Sequence, residues 1–166
     1  YAGFKLLYYH GLVDDRVTDM LIARDDLRVV HLLRENYLER FVSYMRAVKA
    51  DSWFDQANTQ TTHQEAIHIN PRDMATDFVQ TAQFESRYRS MFQDHQVLEI
   101  DYRELSTNRA ATMARLGDWL GLDLSLLSPK NHKTGPTDVK KGIANWQDVQ
   151  QALKGTRWFN LTEADA

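Results

Sequence analysis

The sequence predicts an α/β fold with a mainly parallel sheet flanked by helices. Three observations lead there. Short apolar runs of strand length occur at Phe4–Tyr9, Leu27–Leu33 and Val97–Tyr102. Amphipathic stretches of helical period follow the runs, and strands that alternate with helices pair in parallel through helical crossovers. The helical stretches also carry start and stop signals at their ends. At 166 residues the chain is expected to form one domain over residues 1–166, since domains run to roughly 100–200 residues.

Taken in order, Phe4-Lys5-Leu6-Leu7-Tyr8-Tyr9 reads as a buried strand ended by Gly11. Asp14 to Ala23 places Val17, Met20 and Leu21 at helical spacing and predicts a short helix. Leu27-Arg28-Val29-Val30-His31-Leu32-Leu33 is nearly all apolar, which suits a central parallel strand buried on both faces. Asn36 then caps a helix, with Glu39 three residues on as in a capping box. Leu38, Phe41, Val42, Met45 and Val48 form its apolar stripe.

Residues 51–66 are polar and read as a surface loop, and Ile67-His68-Ile69 as a short extended piece. Asn70-Pro71 is an N-cap with Pro at the first helical position, opening a helix to about Phe92. Met74, Phe78, Ala82, Tyr88 and Met91 or Phe92 should face inward. Val97–Tyr102 is the third strand. Thr107 or Asn108 caps the next helix, which carries Ala111, Met113, Leu116, Trp119 and Leu120 to a stop at Gly121. Residues 125–144 form a loop bearing Lys130, Lys133, Lys140 and Lys141, and Trp146–Leu153 a last helix. The strands near residues 4–9, 28–33 and 97–101 should lie side by side and mostly parallel.

Composition narrows the function. Twenty basic against 23 acidic residues give a net charge of −3, without the basic excess of a general nucleic-acid binder. There is no cysteine, which excludes disulfides, thiol catalysis and thiolate zinc sites. No apolar run approaches the ~18 residues of a membrane span, and a cytoplasmic location is expected. The chain opens Tyr1-Ala2-Gly3 and reads as a piece of a longer protein. His63 and His68 are five apart around Glu65, which is not the spacing of a zinc helix, so no metal is expected. The G-x-x-x-x-G-K-[ST], G-x-G-x-x-G and G-x-S-x-G patterns do not occur.

Chemistry has three candidate locations. At the junction of residues 33–44 a buried strand runs into a helix N-terminus, the place where α/β folds bind anions. Asn36, Arg40 and Ser43 share one helical face there, with Arg34 at its mouth. A guanidinium, a hydroxyl and a helix dipole suit a phosphate, and the same spacing equally describes a solvated polar face. In Lys140-Lys141-Gly142 the glycine lets backbone N–H groups approach a phosphate, where the plain alternative is a solvated lysine loop. His10, at the end of the first run, is placed for proton transfer near neutral pH or is an ordinary structural histidine.

The ordered set resembles the PAPS-dependent sulfotransferases, particularly bacterial members. The strand Val29–Leu33 runs into Arg34-Glu35-Asn36, with Phe41-Val42-Ser43-Tyr44 behind it. Val97-Leu98-Glu99-Ile100-Asp101-Tyr102-Arg103-Glu104-Leu105 follows, then a helix ending Trp119-Leu120-Gly121-Leu122, then Lys140-Lys141-Gly142-Ile143-Ala144-Asn145-Trp146. The resemblance runs from about Gly3 to Trp158. It implies a P-loop-NTPase-like sulfotransferase fold and transfer of a sulfuryl group from PAPS (3′-phosphoadenosine 5′-phosphosulfate) to a hydroxyl of a small molecule, lipid or sugar.

By the same resemblance Arg34 and Ser43 would hold the 3′-phosphate, although they are one residue further apart than is usual in the family. The residue at the family's spacing is Glu35, so Arg34 reaches around or Arg40 substitutes. Lys140, Lys141 and Gly142 would touch the same phosphate, and Tyr102 would pack near adenine. His10 would be the base, and Lys5 would steady the sulfuryl oxygens. The family's 5′-phosphosulfate loop, a Pro-x-Ser-Gly-Thr type segment, would precede Tyr1. The chain is thus expected to be N-terminally incomplete, catalytically weak alone, and open to pairing with a second copy at an exposed sheet edge. A non-catalytic nucleotide-binding or assembly domain of the same fold is the alternative.

Overall fold

The computed structural model describes residues 2–12, 15–50, 65–125, 127 and 139–163. The 51–64 part of the polar loop, and residues 128–138 with Lys130 and Lys133, lie outside the described residues.

Two strands, β1 (Arg28–Leu33) and β2 (Gln96–Asp101), pair in parallel. Val29 lies opposite Val97, His31 opposite Glu99, and Leu33 opposite Asp101. Among the described residues six α-helices accompany them: α1 (Asp15–Ile22), α2 (Tyr37–Ala50), α3 (Pro71–Met91), α4 (Tyr102–Thr107), α5 (Arg109–Leu120) and α6 (Trp146–Leu153). The small parallel sheet with helices around it agrees with the α/β expectation.

Several elements follow directly from their local signals. Asn36 Oδ1 accepts the Glu39 N–H at 2.9 Å, and Asn36 Nδ2 donates to the Glu39 carboxylate at 3.2 Å. This reciprocal pair starts α2 by satisfying a donor left open at the helix end. Asn70 caps α3 by accepting the Arg72 N–H at 2.9 Å, with Pro71 next. Gly121 ends α5 at φ 71°, a left-handed conformation that costs a residue without Cβ little.

Several expectations need correction. The run of residues 4–9 is not a strand: residues 2–7 are irregular, and Tyr8–Leu12 forms a 3₁₀ turn. Of its three rings only Tyr8 packs against a helix, while Phe4 and Tyr9 stay exposed. Tyr8 stacks on Phe84 at 5.7 Å and tilts against Tyr88 at 5.1 Å, while the Tyr88 hydroxyl donates to the Tyr8 carbonyl at 3.0 Å. β1 is not buried on both faces, because Val30 and Leu32 stay 42% and 51% exposed. The third strand ends at Asp101, and Tyr102 opens helix α4 instead; Asp101 caps it by accepting the Arg103 N–H at 2.6 Å. The α5 start has no side-chain cap at Asn108. On the helix stripes Val48 and Ala111 face outward, and Thr112 is buried in place of its apolar neighbour.

The main core lies between α2, α3 and α6. Leu38, Ile69, Met74, Phe78, Val149 and Leu153 are its fully buried members. A parallel bridge between Ile67 and Ile143 joins this core to the segment before α6. The Asn145 side chain closes the bridge, accepting the Ile69 N–H at 2.9 Å and donating to the Ile69 carbonyl at 2.8 Å. A second cluster of Leu21, Tyr88 and Phe92 collects Leu6, Tyr8 and Val29 beneath the N-terminal segment.

Candidate functional site

The carboxyl end of the sheet is organised by Asp101, the last residue of β2. One carboxylate oxygen caps α4, and the other accepts the Glu35 N–H at 3.0 Å. The turn of residues 34–36 is thereby tied to the neighbouring strand. The Arg34 guanidinium lies over the Tyr102 ring at 4.7 Å from its centroid, a favourable stacking of cation on ring face. Burial holds Arg34 below the ordinary arginine value, opposed by the negative groups of Glu39 and Asp101. Its Nε is buried and has no hydrogen-bond partner among the described residues.

Arg40 is engaged elsewhere: its guanidinium pairs with the Asp77 carboxylate on α3. Burial raises Asp77 above the usual carboxylate range, and Arg40 opposes that rise. Ser43, one turn further along α2, is exposed. Arg46 lies three residues beyond Ser43, so the two are neighbours on the helix surface. The Arg46 Nη2 donates to the Gly142 carbonyl at 3.3 Å, and a Cβ on Gly142 would run into the Arg46 guanidinium. Lys140 and Lys141 are exposed on a 3₁₀ turn over Lys140–Gly142, with the Lys140 Nζ 5.9 Å from the Trp146 ring centroid.

The structure therefore brings Arg34 to Tyr102, and the Lys140–Gly142 turn to the helix that carries Ser43. Tyr102 presents a ring face to the guanidinium of Arg34. His10 and Lys5 belong to a different neighbourhood. His10 is exposed on the 3₁₀ turn, not at a strand end; its Nδ1 accepts the Leu7 N–H at 3.2 Å and its ring meets Tyr9 edge-on at 4.6 Å. Lys5 lines a cavity of about 510 Å³ between the N-terminal segment and β1, shared with Phe4, Val30 and Phe92. Among the described residues no contact joins either one to Arg34 or Ser43.

Sequence reasoning passed over three groups. Asp101 and Arg46 carry no motif of their own, and only the fold shows what they touch. The third is a partly buried polar chain below the N-terminal segment. The Tyr8 hydroxyl meets His31 Nε2 at 2.7 Å, and His31 Nδ1 meets the Glu99 carboxylate at 3.1 Å. Arg89 binds Glu99 through Nε at 2.6 Å and Nη2 at 3.3 Å. Burial pushes the Tyr8 hydroxyl up, so it stays protonated. The two ring nitrogens of His31 thus bridge Tyr8 and Glu99. The hydrogen bond from Arg89, ahead of that from His31, holds Glu99 below the usual carboxylate range against the opposing effect of burial. The strand facing these groups could have been the signal: His31 interrupts an otherwise apolar run, and Glu99 sits at its partner position.

A polar cavity of about 260 Å³ opens beside the end of β1, lined by Glu35, Tyr37, Glu85, Arg89, Arg157 and Trp158 among others. The Tyr37 hydroxyl donates to Glu85 at 2.6 Å. Among the described residues there is no cluster of three or more side chains suited to a metal ion, and no helix is long and apolar enough to cross a membrane.

The family model for Stf0 sulphotransferase matches residues 6–148. No curated protein and no solved structure matches the chain.

Proposed function

Because the chain belongs to the Stf0 sulphotransferase family, we propose that it takes part in sulfuryl transfer from PAPS to a hydroxyl acceptor, and that the junction after β1 holds the donor's 3′-phosphate. The observation that carries this reading is the docking of the Lys140–Gly142 turn on α2 through Arg46. The Lys140–Gly142 turn, which resembles one of the family's phosphate-binding motifs, meets α2 at Arg46, three residues beyond the Ser43 of the other motif, through a contact that spans 96 residues.

In this reading Ser43 donates its hydroxyl proton to a phosphate oxygen, and Arg34 supplies charge from its position on Tyr102. Arg34 is favoured over Arg40, whose guanidinium is already paired with Asp77. Lys140, Lys141 and the Gly142 backbone close the opposite side. The acceptor oxygen attacks sulfur, the bond from sulfur to the 5′-phosphate oxygen breaks, and adenosine 3′,5′-bisphosphate leaves. A base takes the acceptor's proton, a role we assign to His10, and Lys5 steadies the sulfuryl oxygens. The acceptor is a small molecule, lipid or sugar, and the polar cavity lined by Tyr37, Glu85 and Arg157 offers hydrogen-bonding groups to a hydroxylated one. No metal is needed for this chemistry.

The test is release of adenosine 3′,5′-bisphosphate from PAPS with a panel of phenols, sugars and lipids, in wild type and His10→Ala. Turnover that His10→Ala abolishes supports the assignment. Turnover that it leaves unchanged removes His10 from the reaction. Bisphosphate binding without any turnover favours a nucleotide-binding or assembly role.

A further inference from the structure

The segment that carries Lys5 and His10 has no backbone ladder to hold it. Residues 2–7 are irregular, and Tyr8–Leu12 is a single 3₁₀ turn. A stretch with so few backbone bonds to its surroundings opens easily unless side chains anchor it. Among the described residues two hydrogen bonds tie residues 2–12 to the rest of the fold, and Tyr8 makes both. Its hydroxyl meets His31 Nε2 at 2.7 Å, and its carbonyl accepts the Tyr88 hydroxyl at 3.0 Å.

Both anchors are themselves held. The Tyr8 ring packs against Phe84 and Tyr88 of α3 and meets the His31 ring edge-on at 5.9 Å. A Cβ on the buried Gly11 would run into the Tyr88 hydroxyl, the group that binds the Tyr8 carbonyl. His31 is buried in β1 opposite Glu99 of β2, and its Nδ1 meets the Glu99 carboxylate at 3.1 Å. Arg89 of α3 grips that carboxylate in turn. The Tyr8 hydroxyl thus rests on a ring fixed by both strands and, through Arg89, by α3. Lys5 stands three residues before Tyr8 and His10 two after it. Among the described residues neither makes a hydrogen bond or an ion pair outside the segment, so both take their places from Tyr8.

Resting on the sulfuryl-transfer reading above, we propose that Tyr8 and His31 are positioning residues: their contact sets where Lys5 and His10 lie, and they act through those two side chains. A displacement of about 1 Å in a group aimed at the reacting atoms costs on the order of a hundredfold in rate. The phosphate grip at the junction after β1 shares no described contact with this segment, so the loss falls on turnover and spares donor binding.

Two measurements test this. The chain contains no cysteine, so a nitroxide on Phe4→Cys reports the segment alone, with one on the exposed Lys154→Cys as control. Tyr8→Phe removes the hydroxyl and keeps the ring on α3. It should raise the mobile fraction of the Phe4→Cys spectrum about five- to tenfold, as for one hydrogen bond lost from a local opening equilibrium, and leave the control unchanged. His31→Leu should do the same, and the double variant should fall short of the product of the two, because they remove one contact. An unchanged Phe4→Cys spectrum in Tyr8→Phe, or fully multiplicative effects, overturns the proposal. The second measurement is PAPS turnover with the acceptor panel, without the labels. In Tyr8→Phe and His31→Leu, kcat should fall about ten- to a hundredfold while KM for PAPS stays within about twofold. His31→Gln, which keeps a polar atom for Tyr8, should recover part of the loss. Equal losses in His31→Gln and His31→Leu, or a raised KM with kcat unchanged, overturn the positioning role. Wild type that turns over no acceptor overturns the sulfuryl-transfer reading and the catalytic consequence with it. The spectra then still decide whether Tyr8 seats the segment.

Discussion

Asp101 accepts the backbone N–H of Glu35 at 3.0 Å across 66 residues of sequence. With its other oxygen it caps α4. One carboxylate thus fixes both the turn that carries Arg34 and the helix that carries Tyr102, the two residues that stack on each other. Asp101→Ala should lower stability by about 2 kcal/mol, roughly 1 for the lost cap and 1 for the second bond. Urea unfolding measures it. Asp101→Asn keeps an acceptor oxygen and should show the smaller loss; an equal loss would mean that charge, not capping, is the contribution.

Arg34 and Arg40 should separate cleanly. Arg34→Ala is expected to weaken adenosine 3′,5′-bisphosphate about ten- to a hundredfold. Arg40→Ala should mainly lower stability, because it leaves the half-buried Asp77 without its partner. Asp77 already sits above the usual carboxylate range through burial, and removing Arg40 raises it further. The penalty in Arg40→Ala should therefore shrink as the pH falls through that raised value and the carboxyl takes up its proton. A pH-independent loss would argue against this cause.

Ser43→Ala should reduce bisphosphate affinity by ~1.5–3 kcal/mol, the range for a hydrogen bond to a charged group. Unchanged affinity by calorimetry would remove Ser43 from the site.

Glu99 titrates below its ordinary range because Arg89 and His31 bind its ionised form. A depressed carboxylate stabilises the folded state above its unfolded value and loses that contribution as the pH falls through the folded one. Glu99→Gln should flatten the acid side of a thermal-midpoint profile and leave little pH dependence from this group. The effect is modest, since the Glu99 side chain is 41% exposed and screened by solvent.

Phe78→Ala should cost ~3–5 kcal/mol. The ring is fully buried and meets Tyr37, Phe41 and Trp158 at centroid distances of 5.6, 6.4 and 5.5 Å. A much smaller loss in chemical denaturation would mean that α2 and α6 collapse into the space.

Where a local signal acts alone, the sequence was legible. Asn70-Pro71 opens α3, the Asn36–Glu39 pair opens α2, and Gly121 closes α5, all within single turns of backbone. β1 and β2 were legible through their β-branched and aliphatic runs. The first apolar run misled because apolar character reports burial and not backbone pairing: Tyr8 is held by Phe84, Tyr88 and His31, none of them near it in sequence. Of the candidate site, Ser43 and the Lys140–Gly142 turn were legible as motifs. Asp101 and Arg46 were not, because each matters through a contact made 66 or 96 residues away.

Those long spans bear on how quickly the molecule becomes functional. Asn145 clamps Ile69 from 76 residues away, and Arg46 reaches Gly142 over 96. Closing such spans is slow compared with winding a helix, because chain entropy is lost before the distant contact forms. In a refolding experiment the far-ultraviolet helical signal of α3 should therefore recover first. The proposed binding of a phosphate should lag behind it, and substitutions at Asn145 should lengthen that delay.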